Sequence, residues 1–209
     1  MELESLGISL LNLPLEDRLS LLTSTYSNDV IAFSSSFGQE DQAITHAIAS
    51  QKLPIKIFTL DTGRQFQESY ELMDLTKKKY QIDLITYFPN HIKTENLVRE
   101  KGYNSFYSSV ENRKECCFIR KMEPLARALE GVNIWITGLR AEQSENRANM
   151  PIVEWDEARN LIKVNPIIDW NTEKLNNYLT EHKIPQNPLH KKRVHFDWLC
   201  PLYKSNRAR

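Results

Sequence analysis

Cysteine is nearly absent: the 209 residues hold three, at positions 116, 117 and 200, and two of those are neighbours. So small and odd a set cannot frame a disulfide-stapled fold. Vicinal cysteines also lie too close along the chain for a relaxed bridge. That leaves two roles for Cys116 and Cys117: small residues buried on a helix, or ligands of a metal or cluster. Net charge is lacking too, with 27 Lys and Arg against 27 Asp and Glu. No global basic field therefore argues for nucleic acid as a partner. No run approaches the roughly 18 apolar residues of a spanning helix. The acidic start Met1-Glu2-Leu3-Glu4-Ser5 also lacks the basic-then-apolar order of a secretion signal. The expectation is a cytoplasmic chain without a membrane partner. Internal repeats and low-complexity stretches are missing as well.

What is present is 41% hydrophobic residues, enough for the core of one medium domain. The first thirty residues predict helix, with Leu6, Leu10 and Leu11, then Leu19, Leu21 and Leu22, on apolar faces. Pro14 followed by Glu16 and Asp17 suits the start of a second helix. Asp29–Phe33 predicts a buried strand, followed by a helix through Ala43, Ile44, Ala47 and Ile48. Ile55–Leu60 predicts a second strand and Phe66–Tyr80 a helix carrying Tyr70, Met73 and Leu75. Leu84–Phe88 and Asn133–Thr137 predict two more strands. Strands alternating with helices imply an α/β fold, a parallel sheet with helices on both faces. Ligands of such sheets bind beyond the carboxyl ends of the strands. Three loops are expected there: 34–41, 61–65 and 138–147.

The first of these, Ser34-Ser35-Ser36-Phe37-Gly38, joins a strand to a helix. Glycine permits a tight turn, and hydroxyls with free amides at a helix start bind anions. Glu40 and Asp41 would repel a phosphate and are expected to point elsewhere. A merely capped helix would look much the same, so the loop gains meaning from its company. Arg140 and Arg147 lie in the third loop, and Arg120-Lys121 follows the cysteine pair. Arginine gives an always-charged, bidentate donor for phosphate or sulfate. Each alone could be a solvated surface charge.

Five motifs occur in order: Ser34-Ser35-Ser36-Phe37-Gly38; Leu60-Asp61-Thr62-Gly63; Cys116-Cys117 with Arg120-Lys121 and Pro124-Leu125; Thr137-Gly138-Leu139-Arg140; and Asn187-Pro188-Leu189-His190. Together they resemble the PAPS/APS reductase family over roughly residues 28 to 190. The resemblance implies an adenine-nucleotide α-hydrolase-like fold with a modified PP-loop, with the reductase domain over 1–190. It implies that Ser34, Ser35, Ser36 and Gly38 hold the sulfate and phosphate of the substrate. Gly138 and Arg140 would line the nucleotide site, and Asp61, Gly63, Arg120, Lys121 and Arg147 would also bind the substrate. Cys116 and Cys117 would be two of four ligands to a [4Fe–4S] cluster, with Lys121 placing positive charge between cluster and substrate. The pair marks the branch that reduces adenylyl sulfate (APS) to sulfite and AMP in sulfate assimilation and cysteine biosynthesis, with thioredoxin as electron donor. Its nucleophile is a cysteine near the C-terminus. Three other readings stand beside this one: a PAPS reductase, an ATP-using PP-loop adenylating enzyme, and a non-catalytic nucleotide-binding remnant.

The tail departs from the family pattern. After His190 the resemblance expects Gly-Tyr, then Gly-Cys-x-Pro-Cys-Thr-Arg, and later a Glu-Cys-Gly segment with the nucleophile. Residues 191–209 lack both, holding only Cys200. One permitted codon spelling of the tail, with one A deleted at Lys192, reads Lys-Gly-Tyr-Ile-Ser-Ile-Gly-Cys-Ala-Pro-Cys-Thr-Arg, and the single codon of Trp198 supplies the restored glycine. The expectation is a one-base insertion, an aberrant and disordered 191–209, no catalytic residue and no stable cluster in the chain as written. Sequencing the gene again tests this: an unbroken frame with no cysteine motif beside it removes the idea.

Overall fold

Residues 3–192 are described by a computed structural model, in which six strands form one sheet in the order β3-β2-β1-β4-β6-β5. The strands are β1 (Ile31–Ser34), β2 (Lys56–Leu60), β3 (Leu84–Tyr87), β4 (Ile134–Ile136), β5 (Val153–Asp156) and β6 (Leu161–Val164). Five run parallel, and β5 pairs antiparallel with β6 at the edge. The β5–β6 hairpin is absent from the sequence reading. Its strands are four residues each and carry Glu154, Asp156 and Lys163, so no apolar run announces them. A cross-strand Lys163–Glu154 pair at 2.7 Å and a left-handed Asn160 in the turn hold it instead.

Helices α1 (Leu3–Leu11), α2 (Leu15–Thr25), α3 (Gln39–Ser50) and α8 (Thr172–Glu181) cover one face of the sheet. Alternation along β1 explains why: Ile31 and Phe33 point into their core, with Ile57, Ile134 and Ile136 beside them. Ala32 points to the other face, where it meets Phe58, Leu161, Ala128 and Leu129. There α7 (Glu123–Ala128) packs on β2 and β3. Helices on both faces are therefore as expected. Each fully buried Leu of the α1–α2 stripe (Leu6, Leu10, Leu15, Leu19, Leu22) contributes about 2 kcal/mol of burial. Leu11, placed on an apolar face by periodicity, is 45% exposed, and Leu75, one of the apolar residues of its predicted helix, is 53% exposed. Leu11 is the last residue of its helix, and Leu75 sits on the outer side of α4 (Gln67–Tyr80).

Between β3 and β4 the chain makes α5 (His91–Lys101), a short 3-10 turn at Ser105–Tyr107, and α6 (Val110–Cys117). A π turn over Phe118–Met122 then leads into α7. Pro124 has no amide hydrogen, so it cannot close the α-helical bond to the carbonyl of Arg120, and the turn ahead of it widens. The domain boundary expected at 190 falls in the last described turn, Pro188–Lys192. The expectation of a disordered tail lies, from residue 193 onward, outside the described residues. Among the described residues no helix is long and apolar enough to cross a membrane.

Candidate functional site

Strand order reverses between β1 and β4, and the crevice at their carboxyl ends is where such sheets bind ligands. From β1 the chain turns through Ser35–Gly38 into α3. Phe37 is left-handed at φ 61°, a conformation uncommon for a side chain of that size. Its amide donates to Ser35 Oγ at 3.2 Å, and its ring is buried with Leu72 and Met73 of α4. Gly38 caps α3 without any side-chain hydrogen bond, and the first bond inside the helix is Gln42 N to Gly38 O. The amides of Gln39, Glu40 and Asp41 therefore have no acceptor within the helix. They open at the positive end of a helix of 12 residues.

The serine hydroxyls, read from sequence as substrate donors, are turned into the protein. Trp135 Nε1 donates to Ser34 Oγ at 2.9 Å, and Ser35 Oγ accepts from Phe37. Ser36 gives its amide (2.5 Å) and hydroxyl (2.6 Å) to Oδ2 of Asp41. Burial pushes the Asp41 carboxyl up to about 7, against the two Ser36 bonds that favour its charged form. Glu40 turns the other way, to Arg140. Both acids are thus engaged by protein groups, Asp41 by Ser36 and Glu40 by Arg140.

The loop after β2 is shaped by Asp61, which is buried. Its Oδ1 accepts from Gly63 N at 2.8 Å and its Oδ2 from Tyr70 OH at 2.9 Å. Gly63 is left-handed at φ 70°, the conformation glycine adopts at least cost. Against this turn lies Arg120, also buried. Its NH1 donates to Thr62 O at 2.6 Å and stands 3.4 Å from where a Cβ on Gly63 would sit. Its Nε is buried without a hydrogen-bond partner among the described residues.

Cys116 and Cys117 form no disulfide among the described residues; both are half-buried and close α6 one turn ahead of Arg120. Arg120 thus fastens the cysteine-bearing segment to the β2 loop, at the same end of the sheet as the serine loop. Lys121, half-buried, belongs to the same π turn. Arg64 fastens the approach to α6 by donating to Tyr103 O (2.6 Å) and Asn104 Oδ1 (2.9 Å), with its guanidinium over the Phe106 ring.

The β4 loop approaches most closely at Gly138. A Cβ there would lie 2.0 Å from Asp41 Oδ1, so only glycine fits. Gly138 packs against the start of α3. Arg140, expected to line the nucleotide site, is buried in a brace. It donates to Glu40 Oε1 (2.9 Å) and Glu142 Oε2 (2.8 Å), with Trp170 O and Thr172 Oγ1 at 3.4 Å. Arg147 donates to Gln143 Oε1 at 2.5 Å, and Gln143 Nε2 donates to Glu40 at 3.0 Å. Sequence reasoning assigned no such role to Glu40, Gln143 or Tyr70. Their polar character alone does not separate them from surface residues.

The Asn187–His190 motif reaches the same rim. Asn187 is buried and donates to Ser69 Oγ (3.3 Å), and Gln39 Nε2 donates to Gln186 Oε1 (2.7 Å) across the start of α3. Burial lowers the His190 pKa while Glu40 pulls it up, which places the two side chains near each other. Among the described residues no group of three or more His, Cys, Asp or Glu gathers as for a metal. The adjacent thiols of Cys116 and Cys117 are two soft donors, one half of a four-thiolate set, and the other half needs residues beyond those described.

The family model for the phosphoadenosine phosphosulfate reductase domain matches residues 30–203. The chain belongs to that family. An adenosine 5'-phosphosulfate reductase from Agrobacterium fabrum is 44% identical over 188 residues, 90% of this chain and 72% of the relative. One from Rhizobium meliloti is 46% identical over 179 residues, 86% and 67% of the two chains. Among solved structures, phosphoadenylyl-sulfate (PAPS) reductase from Candida auris in a phosphate complex superposes with TM-score 0.77 at 26% identity, over 91% of this chain and 90% of that one. NMN synthetase from Francisella tularensis, at TM-score 0.55 and 11% identity over 88% and 72%, shares the fold alone. The expected reductase family and its fold are thereby established. The family match also runs past Lys192, where the sequence leaves the motif pattern.

Proposed function

We propose that this member of the phosphoadenosine phosphosulfate reductase domain family acts on adenylyl sulfate, yielding sulfite and AMP in sulfate assimilation. The relatives named above, identical at close to half of the aligned positions, carry that substrate in their names. One observation carries the reading: Arg120 joins the paired-thiol segment to the loop beside an α3 N-terminus whose cap residue, Gly38, makes no side-chain hydrogen bond. Open amides and a guanidinium are what a phosphosulfate requires. They stabilise charge on its non-bridging oxygens, most strongly where water is excluded. Magnesium-dependent adenylation would leave the thiol pair without a use.

The reaction we propose balances as thiol exchange. A thiolate attacks the sulfate sulfur, and the bond from that sulfur to the bridging oxygen breaks. AMP leaves with the electron pair, and an S-sulfocysteine remains. A thioredoxin dithiol then releases sulfite and is itself oxidised to the disulfide. Thioredoxin as donor and a cytoplasmic setting belong to this proposal. So does the nucleophile, which comes from the Glu-Cys-Gly segment that the 209 residues do not contain. A [4Fe–4S] cluster held in part by Cys116 and Cys117 would add fixed charge beside the sulfate, with Lys121 between. The cluster is not required to accept the thiol electrons.

Calorimetric titration with adenylyl sulfate, PAPS and magnesium-ATP tests the reading. Adenylyl sulfate is expected to bind most tightly. Preference for magnesium-ATP sinks the reductase reading in favour of adenylation, and preference for PAPS moves the chain to the other branch.

A further inference from the structure

The Asp41 side chain touches two of the three strand-end loops. Its Oδ2 takes both the amide and the hydroxyl of Ser36, from the loop after β1. Its Oδ1 fills the space over Gly138, in the loop after β4. We propose that Asp41 is a positioning residue for the oxyanion site, and that it takes up a proton when an oxyanion docks on the open end of α3. The ligand's identity rests on the function proposed above; the role of Asp41 rests on the geometry.

The surroundings favour this role. Asp41 is buried in the first turn of α3, next to the amides that face the ligand. Its nearest charged neighbour in sequence, Glu40, is a second acid, which adds to the cost of ionising Asp41. Around Glu40 stand Arg140, with Glu142 on its far side, and His190 from the C-terminal segment. Arg140 is thus shared between two carboxylates that are not Asp41. Burial already pushes Asp41 up to about 7 before any ligand arrives. An incoming sulfate or phosphate at the start of α3 adds negative charge near the Asp41 carboxyl, which drives the proton on. The neutral acid keeps its acceptor oxygen for Ser36, so the loop holds its shape while its charge falls.

Adenylyl sulfate is a suitable probe, because none of its groups titrates near neutrality. Its binding is measured by calorimetry slightly above neutral pH in two buffers of different ionisation enthalpy. The unmodified protein is expected to take up a fraction of a proton and Asp41→Asn none, while His190→Gln keeps the uptake. Asp41→Asn is also expected to bind with a flatter pH dependence. Equal uptake in the unmodified protein and Asp41→Asn, or binding without uptake, overturns the proposal.

A second arm needs no ligand. The folded carboxyl holds its proton up to about 7, whereas the unfolded one loses it near 3.8. Its stabilising contribution is therefore complete below the unfolded value and is lost as pH rises through the folded one. The midpoint of chemical denaturation should fall over that window in the unmodified protein, and Asp41→Asn should remove that part of the slope. Identical slopes overturn the proposal. Should Asp41→Asn fail to fold, NMR of the carboxyl carbons in the unmodified protein decides: an ordinary carboxylate titration for Asp41 overturns it. Failure of adenylyl sulfate to bind, with the ligand-free slope present, counts against the substrate reading alone.

Discussion

At the scale of single residues, contact geometry rather than residue type decides the roles. Gly138 has an ordinary backbone, yet it admits no side chain, because Asp41 Oδ1 stands where a Cβ would be. Gly138→Ala is expected to lower stability by about 1–3 kcal/mol through overpacking. Gly131 gives a contrast: its φ of 70° makes Ala strained, by about 1–2 kcal/mol, but nothing lies within 4 Å of the added carbon. A denaturation cycle separates the two. Asp41→Ala should relieve much of the Gly138→Ala cost and none of the Gly131→Ala cost. Arg120 makes a second case, with a buried Nε that no group among the described residues satisfies. A ligand oxygen there would form a charge-assisted bond, so Arg120→Gln should weaken adenylyl sulfate binding roughly ten- to a hundredfold. Arg120→Lys should recover little, since an ammonium cannot serve both Thr62 O and a ligand. Binding isotherms on folded variants check both. The sequence offered Ser34, Ser35, Ser36 and Arg140 as donors to the ligand. Their residue types were legible, but not that Trp135, Phe37, Asp41 and Glu40 already engage them.

At the scale of elements, the α1–α2 turn is stapled to the end of β6 by one guanidinium. Arg18 is almost wholly buried. It donates to Leu13 O, Leu11 O and Pro166 O and holds both oxygens of Asp169, at 2.5 and 2.9 Å. Arg18→Met would leave those carbonyls and the carboxylate without their donor, at a cost of about 3 kcal/mol in denaturation free energy. Burial raises the Asp169 pKa, but the bond and charge of Arg18 outweigh it, and the net shift is downward. A depressed acid stabilises the fold above its unfolded pKa, and that part is lost as pH falls through the folded value. Arg18→Met should therefore flatten the acid limb of the stability profile, read from denaturation midpoints across the acid range. Most helices and the first four strands were legible from apolar spacing. The π turn was not, because its cause is a missing hydrogen-bond donor at Pro124 rather than a pattern of side chains. The β5–β6 hairpin was not either, because its strands are short and half polar.

At the scale of the whole molecule, the thiols count most. The 209 residues contain three cysteines, so a four-thiolate cluster needs a donor from outside this sequence. The chain as written is expected to carry less than a full cluster's iron and sulfide and to release no sulfite with thioredoxin. A version with Gly-Cys-x-Pro-Cys-Thr-Arg and a terminal Glu-Cys-Gly restored should carry the cluster and release sulfite. Iron, acid-labile sulfide and sulfite assays on the two proteins check this, and sulfite from the unrestored chain refutes it. The fold supports the comparison: Asn187 and Gln186 anchor the last described segment at the rim of the site, so an extension would start beside it.

Ordered motifs and apolar spacing by themselves determined the family, the alternating strands and helices, and the loops at the carboxyl ends of the strands. Those features are local in the chain, and short-range periodicity records them. Only the tertiary structure decided which polar groups face the crevice. Residues a hundred positions apart, such as Glu40 and Arg140, compete for the same hydrogen bonds, and that competition is settled by packing in three dimensions.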